Sequence, residues 1–141
     1  MVNAFEEALE LLGRFGPALV NAGGDMACRG GSWPVGVETG SDMLTLELTG
    51  TALATSGRDR RTWRRGGRML HHLIDPRTGA PADSDVLRIT VVAPDAVQAE
   101  VAATSLFLAG AHGAAAEADA AELPSVIVDE QGRTTLAGGL G

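Results

Sequence analysis

The sequence predicts an α+β fold, in which a mostly antiparallel sheet has helices packed against it. Short apolar runs with strand character recur between glycine- and proline-rich turns over residues 18–94. Apolar residues at helical spacing appear near the start of the chain and again after Asp95. The 141 residues suit one domain, so we expect residues 1–141 to form a single unit.

The first predicted element is a helix over residues 3–13. Asn3 and Glu6 have the spacing of a capping box, and apolar residues follow on one helical face. Gly16 and Pro17 end this pattern. A short apolar strand over residues 18–21 then leads into a glycine-rich turn.

The middle of the chain is predicted to consist of strands, because apolar and polar residues alternate there. The alternation is clearest over residues 43–50, where three leucines occupy every second position. The other predicted strands cover residues 33–38, 51–57, 68–74 and 86–94. An arginine-rich hairpin precedes residue 68, and residues 75–81 have the composition of a turn.

The last third of the chain predicts two helices and two strands. Asp95 can cap a helix that Gly110 closes, and an alanine-rich helix follows over residues 112–122. Strands are expected over residues 125–130 and 134–137. Aromatic residues make up only 4% of the chain, so Ala, Leu and Val must form most of the core.

The composition excludes several classes of function. The net charge of −7 argues against nucleic acid as a partner, because phosphate binding needs a basic surface. A single cysteine, Cys28, allows no internal disulfide, and we expect a buried structural thiol. The sequence has neither an apolar run long enough to span a membrane nor a signal peptide, and its localisation stays unknown.

Four groups of polar residues could carry chemistry, and each also has a purely structural interpretation. The glycine-rich turn at residues 21–25 is either a tight turn or a place where the backbone approaches a ligand. Thr55, Ser56 and Gly57 can present hydroxyls and an amide at a strand end. The arginines that follow form either a solvated hairpin or a basic rim beside a polyanion.

His71 and His72 lie on opposite faces of the predicted strand, which argues against one zinc ion bound by both. One histidine can act as an acid, a base or a phosphate contact, or have a structural role. Glu100 and Thr104 are four positions apart and share one helix face. They are either two hard oxygen ligands for Mg²⁺ or Ca²⁺, or a solvated carboxylate and a hydroxyl bonded to its own helix.

Taken in order, these groups resemble the C-terminal half of the ApbE family, the FAD:protein FMN transferases. The stretches that match are NAGGD (21–25), ATSG (54–57), HHLIDPRTGAP (71–81) and AEVAATSLFLAG (99–110). The resemblance covers nearly the whole chain. It implies a Mg²⁺-dependent transfer of FMN from FAD to a Thr or Ser hydroxyl of a target flavoprotein, with release of AMP.

The resemblance also implies a role for each matching residue. His72 and Asp75 take the catalytic positions, and Glu100 and Thr104 take the metal-binding positions. The residues implied to contact FAD or its surroundings are Gly23, Gly24, Asp25, Thr55, Ser56, Gly57 and Thr78. We therefore expect His72, Asp75, Glu100 and Thr104 to converge on one pocket.

The chain departs from the family pattern in two respects. Glu100 stands where the family has Asp, which keeps the charge but adds one methylene. Family members are about twice as long and have a Lys-Gly motif upstream, whereas this chain contains no lysine. We therefore expect a domain that lacks the family's N-terminal half. A non-catalytic flavin- or nucleotide-binding module, or one half of a two-chain enzyme with a separate partner chain, are the alternatives.

Overall fold

The computed structural model describes residues 2–58, 62–65, 68–71, 74–77, 79–81 and 84–140. It contains helix α1 (Val2–Leu12), a 3₁₀ turn (Gly13–Phe15) and helix α2 (Ala96–Ala120). The strands are β1 (Ala18–Ala22), β2 (Asp25–Arg29), β3 (Trp33–Glu38), β4 (Met43–Leu48), β5 (Ala52–Gly57), β6 (Thr62–Arg65), β7 (Arg68–His71), β8 (Ile74–Asp75), β9 (Ala80–Pro81), β10 (Val86–Ala93), β11 (Ser125–Asp129) and β12 (Thr134–Ala137).

The centre of the fold is a six-stranded sheet in the order β1-β2-β5-β10-β11-β12. Every neighbouring pair in it is antiparallel. Three separate two-stranded pairs are β3 with β4, β6 with β7, and β8 with β9. The predicted α+β class with a mostly antiparallel sheet is therefore confirmed.

Both helices pack on one face of the central sheet. Helix α1 contributes Phe5 and Leu9 to this core, while α2 contributes Phe107 and several fully buried alanines. The core is built largely from small aliphatic residues, as the composition predicts. Alanines let the α2 backbone approach the sheet closely, and the bulk comes from a few larger side chains such as Phe107 and Ile89.

The β3–β4 hairpin covers the other face of the sheet. Ala52 and Ala54 in β5 belong to the helix-side core, whereas Leu53 between them packs with the hairpin. Because successive strand residues point to opposite faces, the two cores lie on opposite sides of the sheet. Leu46 and Leu48 of β4 are buried in the second core, in agreement with the predicted alternation.

Several predicted boundaries differ from the structure. Helix α1 begins at Val2, so Asn3 lies inside the first turn and is not the residue before it. The predicted strand 68–74 contains β7 and the first residue of β8, and its residues 72 and 73 lie outside the described residues. The second half of the predicted turn 75–81 contains β9, which pairs with β8. Strand β2 was not predicted at all.

The predicted break at Gly110 is present inside α2. Gly110 has φ 80° and ψ 165°, a conformation that residues with a Cβ rarely adopt, and helix continues on both sides of it. In the part of the chain that the structure describes, neither helix has the length and apolar character needed to cross a membrane.

Candidate functional site

The glycine-rich turn joins β1 to β2, and its backbone geometry accounts for both of its glycines. Gly23 and Gly24 have φ angles of 65° and 99° and form a two-residue connection between the paired residues Ala22 and Asp25. Tight hairpins of this kind favour glycine because positive φ is required at both central positions. The Asn21 side-chain oxygen accepts a hydrogen bond from the Gly24 amide at 3.1 Å.

Asp25 connects this turn to the next sequence group. Its Oδ1 accepts a hydrogen bond from the backbone amide of Thr55 at 3.1 Å. The register between β2 and β5 extends only to the pair Met26 and Leu53, so the carboxylate satisfies an amide just beyond that ladder. Two of the sequence groups, 30 residues apart, are therefore in direct contact.

The Thr55 side chain lies on the hairpin side of the sheet. Its hydroxyl is 2.9 Å from the hydroxyl of Thr90, the residue paired with it on β10. Thr90 is only 2% exposed. Both line a cavity of about 150 Å³, whose other walls include Arg88 and Met26. Thr90 was not predicted, because its hydroxyl gains significance only from its partner across the strand pair.

Ser56 points to the helix side, opposite to Thr55. Its hydroxyl is 3.3 Å from the hydroxyl of Thr104 on α2. Ser56 is buried and Thr104 is half-buried. This contact joins the second and fourth sequence groups, and it places a predicted metal ligand beside a predicted FAD contact. Gly57, the last residue of β5, is also buried.

Glu100 lies one helical turn before Thr104 and is exposed. Its carboxylate makes no hydrogen bond or ion pair with another described residue. A carboxylate and a hydroxyl on one helix face are hard oxygen donors, which fits Mg²⁺. No group of three or more His, Cys, Asp or Glu side chains placed to hold a metal occurs among the described residues. Mg²⁺ commonly keeps several water ligands and is held by only one or two carboxylates.

Three of the predicted residues are not placed. His72 and Thr78 lie outside the described residues, and for Asp75 only the backbone, in β8, is described. The expected convergence of these residues with Glu100 and Thr104 stays a prediction.

A cluster of contacts that sequence reasoning missed lies at the end of β5. The Arg58 guanidinium donates to the carbonyl of Ser84 at 3.0 Å and to the Glu130 carboxylate at 2.9 Å. The Ser84 hydroxyl donates to the carbonyl of Phe107 on α2 at 2.8 Å. Sequence reasoning could not find these contacts, because Ser84 lies 26 residues and Glu130 lies 72 residues from Arg58 along the chain.

Two carboxylates outside the site have perturbed acidity. The Gln98 backbone amide donates a hydrogen bond to the Asp95 carboxylate, which lowers the pKa of that carboxyl. The same bond confirms the prediction that Asp95 caps α2. The Arg133 backbone amide, together with the Arg133 guanidinium and the Gln131 amide, holds the pKa of Asp129 below its ordinary value. Asp95 stabilises the start of a helix and Asp129 stabilises a turn, and neither is among the predicted site residues.

Comparison with known proteins identifies relatives for nearly the whole chain. The family model that matches is described as "ApbE family" and covers residues 3–127. The "FAD:protein FMN transferase" of Klebsiella pneumoniae is 29% identical over 117 residues, which is 79% of this chain and 37% of that protein. The protein of the same name from Escherichia coli K12 is 31% identical over 102 residues, which is 65% of this chain and 29% of that protein.

Solved structures agree with this relationship. The ApbE protein from Thermotoga maritima superposes with a TM-score of 0.83 and 28% identity, covering 96% of this chain and 48% of that one. The apo flavinyl transferase ApbE from Pseudomonas stutzeri gives 0.78 and 26%, covering 96% and 46%. The chain therefore spans about a third of the curated relatives and about half of the solved ones.

Proposed function

The chain belongs to the ApbE family, and from that premise we propose that it carries the C-terminal part of an FAD:protein FMN transferase. In the proposed reaction, a Thr or Ser hydroxyl oxygen of an acceptor flavoprotein bonds to the phosphorus on the FMN side of FAD. The pyrophosphate P–O bond breaks, AMP leaves, and the hydroxyl proton passes to a base. The names of the curated relatives support this assignment.

The observation that carries the proposal is the contact between Ser56 and Thr104 at 3.3 Å. It brings the T-S-G group of β5 against the helix position that the family uses for metal binding. Asp25 adds the glycine-rich turn to the same strand through its bond to Thr55 at 3.1 Å. Three groups that are far apart in sequence thus meet around β5, as a shared binding site requires.

Each residue then has a specific task. Glu100 and Thr104 hold Mg²⁺, which when bound neutralises phosphate charge and orients the pyrophosphate. The hydroxyl of Ser56 fixes the Thr104 side chain, which limits its motion at the metal position. His72 lies beside the pyrophosphate or the incoming hydroxyl and serves as the base, while Asp75 and Thr78 organise their loop around the ligand.

The test is FAD binding by isothermal titration calorimetry, with and without Mg²⁺. We expect binding that requires Mg²⁺ and that weakens at least about tenfold in Glu100→Gln, since one charged ligand is removed. Thr104→Val should weaken it as well. Glu117→Gln is the matched control, because Glu117 is another exposed carboxylate on α2 and lies more than four turns beyond Glu100.

The proposal fails if folded wild-type protein binds FAD equally well without Mg²⁺, or if Glu117→Gln and Glu100→Gln weaken binding equally. When binding follows the expected pattern, an acceptor flavoprotein is added and followed by mass spectrometry. A mass gain of one FMN less one water, accompanied by AMP, demonstrates transfer, and Asp75→Asn and His72→Ala should abolish it.

A second candidate is one half of a two-chain enzyme, or a flavin- or nucleotide-binding module without turnover. Exposed apolar side chains near the end of α1 agree with it, with Phe15 at 90% exposure and Leu11 at 58%. Adding a polypeptide equivalent to the relatives' remaining half should then give a 1:1 complex in sedimentation velocity and restore transfer. Transfer by this chain alone would exclude this candidate.

A further inference from the structure

The segment 59–83 lies in the sequence between β5 and β10, two neighbouring strands of the central sheet. Arg58 is the last residue before this segment and Ser84 is the first residue after it. The Arg58 guanidinium donates to the Ser84 carbonyl at 3.0 Å, so one side chain joins the two ends of a 25-residue excursion. His72, Asp75 and Thr78 all belong to that excursion.

A second bond fixes the direction of the guanidinium. Its other terminal nitrogen donates to Glu130 at 2.9 Å, and the Glu130 backbone amide donates to the Asp85 carbonyl at 2.8 Å. Glu130, which directly follows β11, is therefore bonded to Asp85, the neighbour of Ser84. A planar guanidinium serves two acceptors in different directions, whereas a lysine ammonium on a flexible stem fixes neither direction as well.

The same cluster extends to the helix with the metal-binding positions. The buried Ser84 hydroxyl donates to the Phe107 carbonyl at 2.8 Å and accepts from the Val86 amide at 3.2 Å. Phe107 is three residues after Thr104 on α2. Arg58 thus bonds to Ser84, the residue whose hydroxyl is anchored to the helix that carries Thr104.

An ordinary surface ion pair looks different in this protein. Arg29 and Glu6 lie 3.5 Å apart with side chains 52% and 46% exposed, and such pairs contribute little. The Arg58 side chain is 27% exposed and makes two shorter bonds. The bond from Arg58 to Ser84 also joins the two residues that flank the segment 59–83, which contains His72 and Asp75. The Arg29 pair joins no such residues.

We propose that Arg58 is a positioning residue for the FAD site, setting the placement of segment 59–83 relative to Thr104. The inference rests on the proposed function for its ligand. In this proposal Arg58 touches neither FAD nor the reacting atoms. It acts through the segment 59–83, whose two flanking residues it joins.

The experiment compares Arg58→Met, Arg58→Lys and Glu130→Gln with the matched control Arg29→Met. Calorimetry gives the Kd for FAD in Mg²⁺, and hydrogen exchange gives the opening of β6 and β7, which follow Arg58. We expect Arg58→Met to raise Kd about tenfold and to speed β6–β7 exchange, since two charge-assisted bonds are lost. Arg58→Lys should restore Kd only in part, and Arg29→Met should change neither measurement.

Glu130→Gln protects the test against a variant that fails to fold, since it keeps the shape and removes only the charge. It should raise Kd by a few-fold, less than Arg58→Met. An unchanged Kd in folded Arg58→Met, with or without faster exchange, overturns the inference and leaves the proposed function intact. Full rescue by Arg58→Lys also overturns it, because charge alone would then suffice. Absence of FAD binding by the wild type overturns the inference and the proposed function together.

Discussion

The hydroxyl pair of Thr55 and Thr90 provides a quantitative test of the site's structure. The two oxygens are 2.9 Å apart across the β5–β10 pair, and replacing either Thr by Val removes one hydroxyl at nearly constant volume. The two substitutions differ in what they leave behind. Thr55→Val leaves the hydroxyl of Thr90, which is 2% exposed, whereas Thr90→Val leaves the hydroxyl of half-buried Thr55.

The expected costs follow from that difference. A buried hydroxyl without a partner costs about 1–3 kcal/mol, so Thr55→Val should lower the free energy of unfolding by about 2 kcal/mol. Thr90→Val should cost about 0.5–1 kcal/mol, because the remaining hydroxyl belongs to Thr55, which is half-buried and more accessible to water than Thr90. The double variant should be more stable than Thr55→Val alone, since it leaves no orphaned hydroxyl.

Urea unfolding followed by far-ultraviolet circular dichroism measures these differences. With a slope of about 2 kcal/mol per molar, the Thr55→Val midpoint should fall by about 1 M. Thr135→Val is the matched control, because Thr135 is an exposed strand threonine on β12, and its effect should stay within about 0.5 kcal/mol. Equal costs for the two single variants, or strict additivity in the double variant, would refute the reasoning.

Three further predictions concern the surroundings of the site. Gly110→Ala should cost about 1–3 kcal/mol in thermal unfolding, because φ is 80° there and an added Cβ would lie 3.2 Å from Asp85 Oδ1. A smaller loss would show that the break in α2 relaxes. Asp129→Asn should destabilise the protein at neutral pH, where the lowered pKa of Asp129 contributes stability, and the difference from wild type should vanish as pH falls through that pKa, below 3.8. A difference that persists at lower pH would contradict the role of the charge on Asp129. Glu100→Asp should lower the Mg²⁺ concentration for half-maximal FAD binding about threefold, because a shorter side chain loses less rotamer entropy on binding; weaker binding would show that the site is built for Glu.

Elements with a strong local pattern were predictable from the sequence. The bounds of β3 and β12 agree with the prediction, and Asp95 and Gly110 mark the helix cap and break where expected. Strand β2 (Asp25–Arg29) was missed because its sequence, DMACR, has no clear alternation and includes an alanine, a weak strand former. Its pairing with β1 and β5 creates the strand, which is a tertiary effect.

The candidate site was predictable only as a set of residue groups, and its connections were not. The order of the groups gave Asp25, Thr55, Ser56 and Thr104, but not which of them touch. Because Thr55 and Ser56 are consecutive in β5, they serve opposite faces of the sheet, one with Thr90 and one with Thr104. Partners such as Thr90 are set by strand register, which hydrophobic pattern alone does not specify residue by residue.

The two proposed metal ligands differ in how firmly the fold holds them, and this bears on the Glu in place of Asp. The helix segment that carries them is fixed at its start by the Asp95 cap and near its end by the bond from Ser84 to Phe107. Thr104 is half-buried against Ser56, while Glu100 is exposed. A rigid hydroxyl and an adjustable carboxylate can absorb one extra methylene without moving the helix, because only the Glu100 rotamer must change. The departure at Glu100 is therefore compatible with metal binding, with its cost confined to the entropy of one exposed side chain.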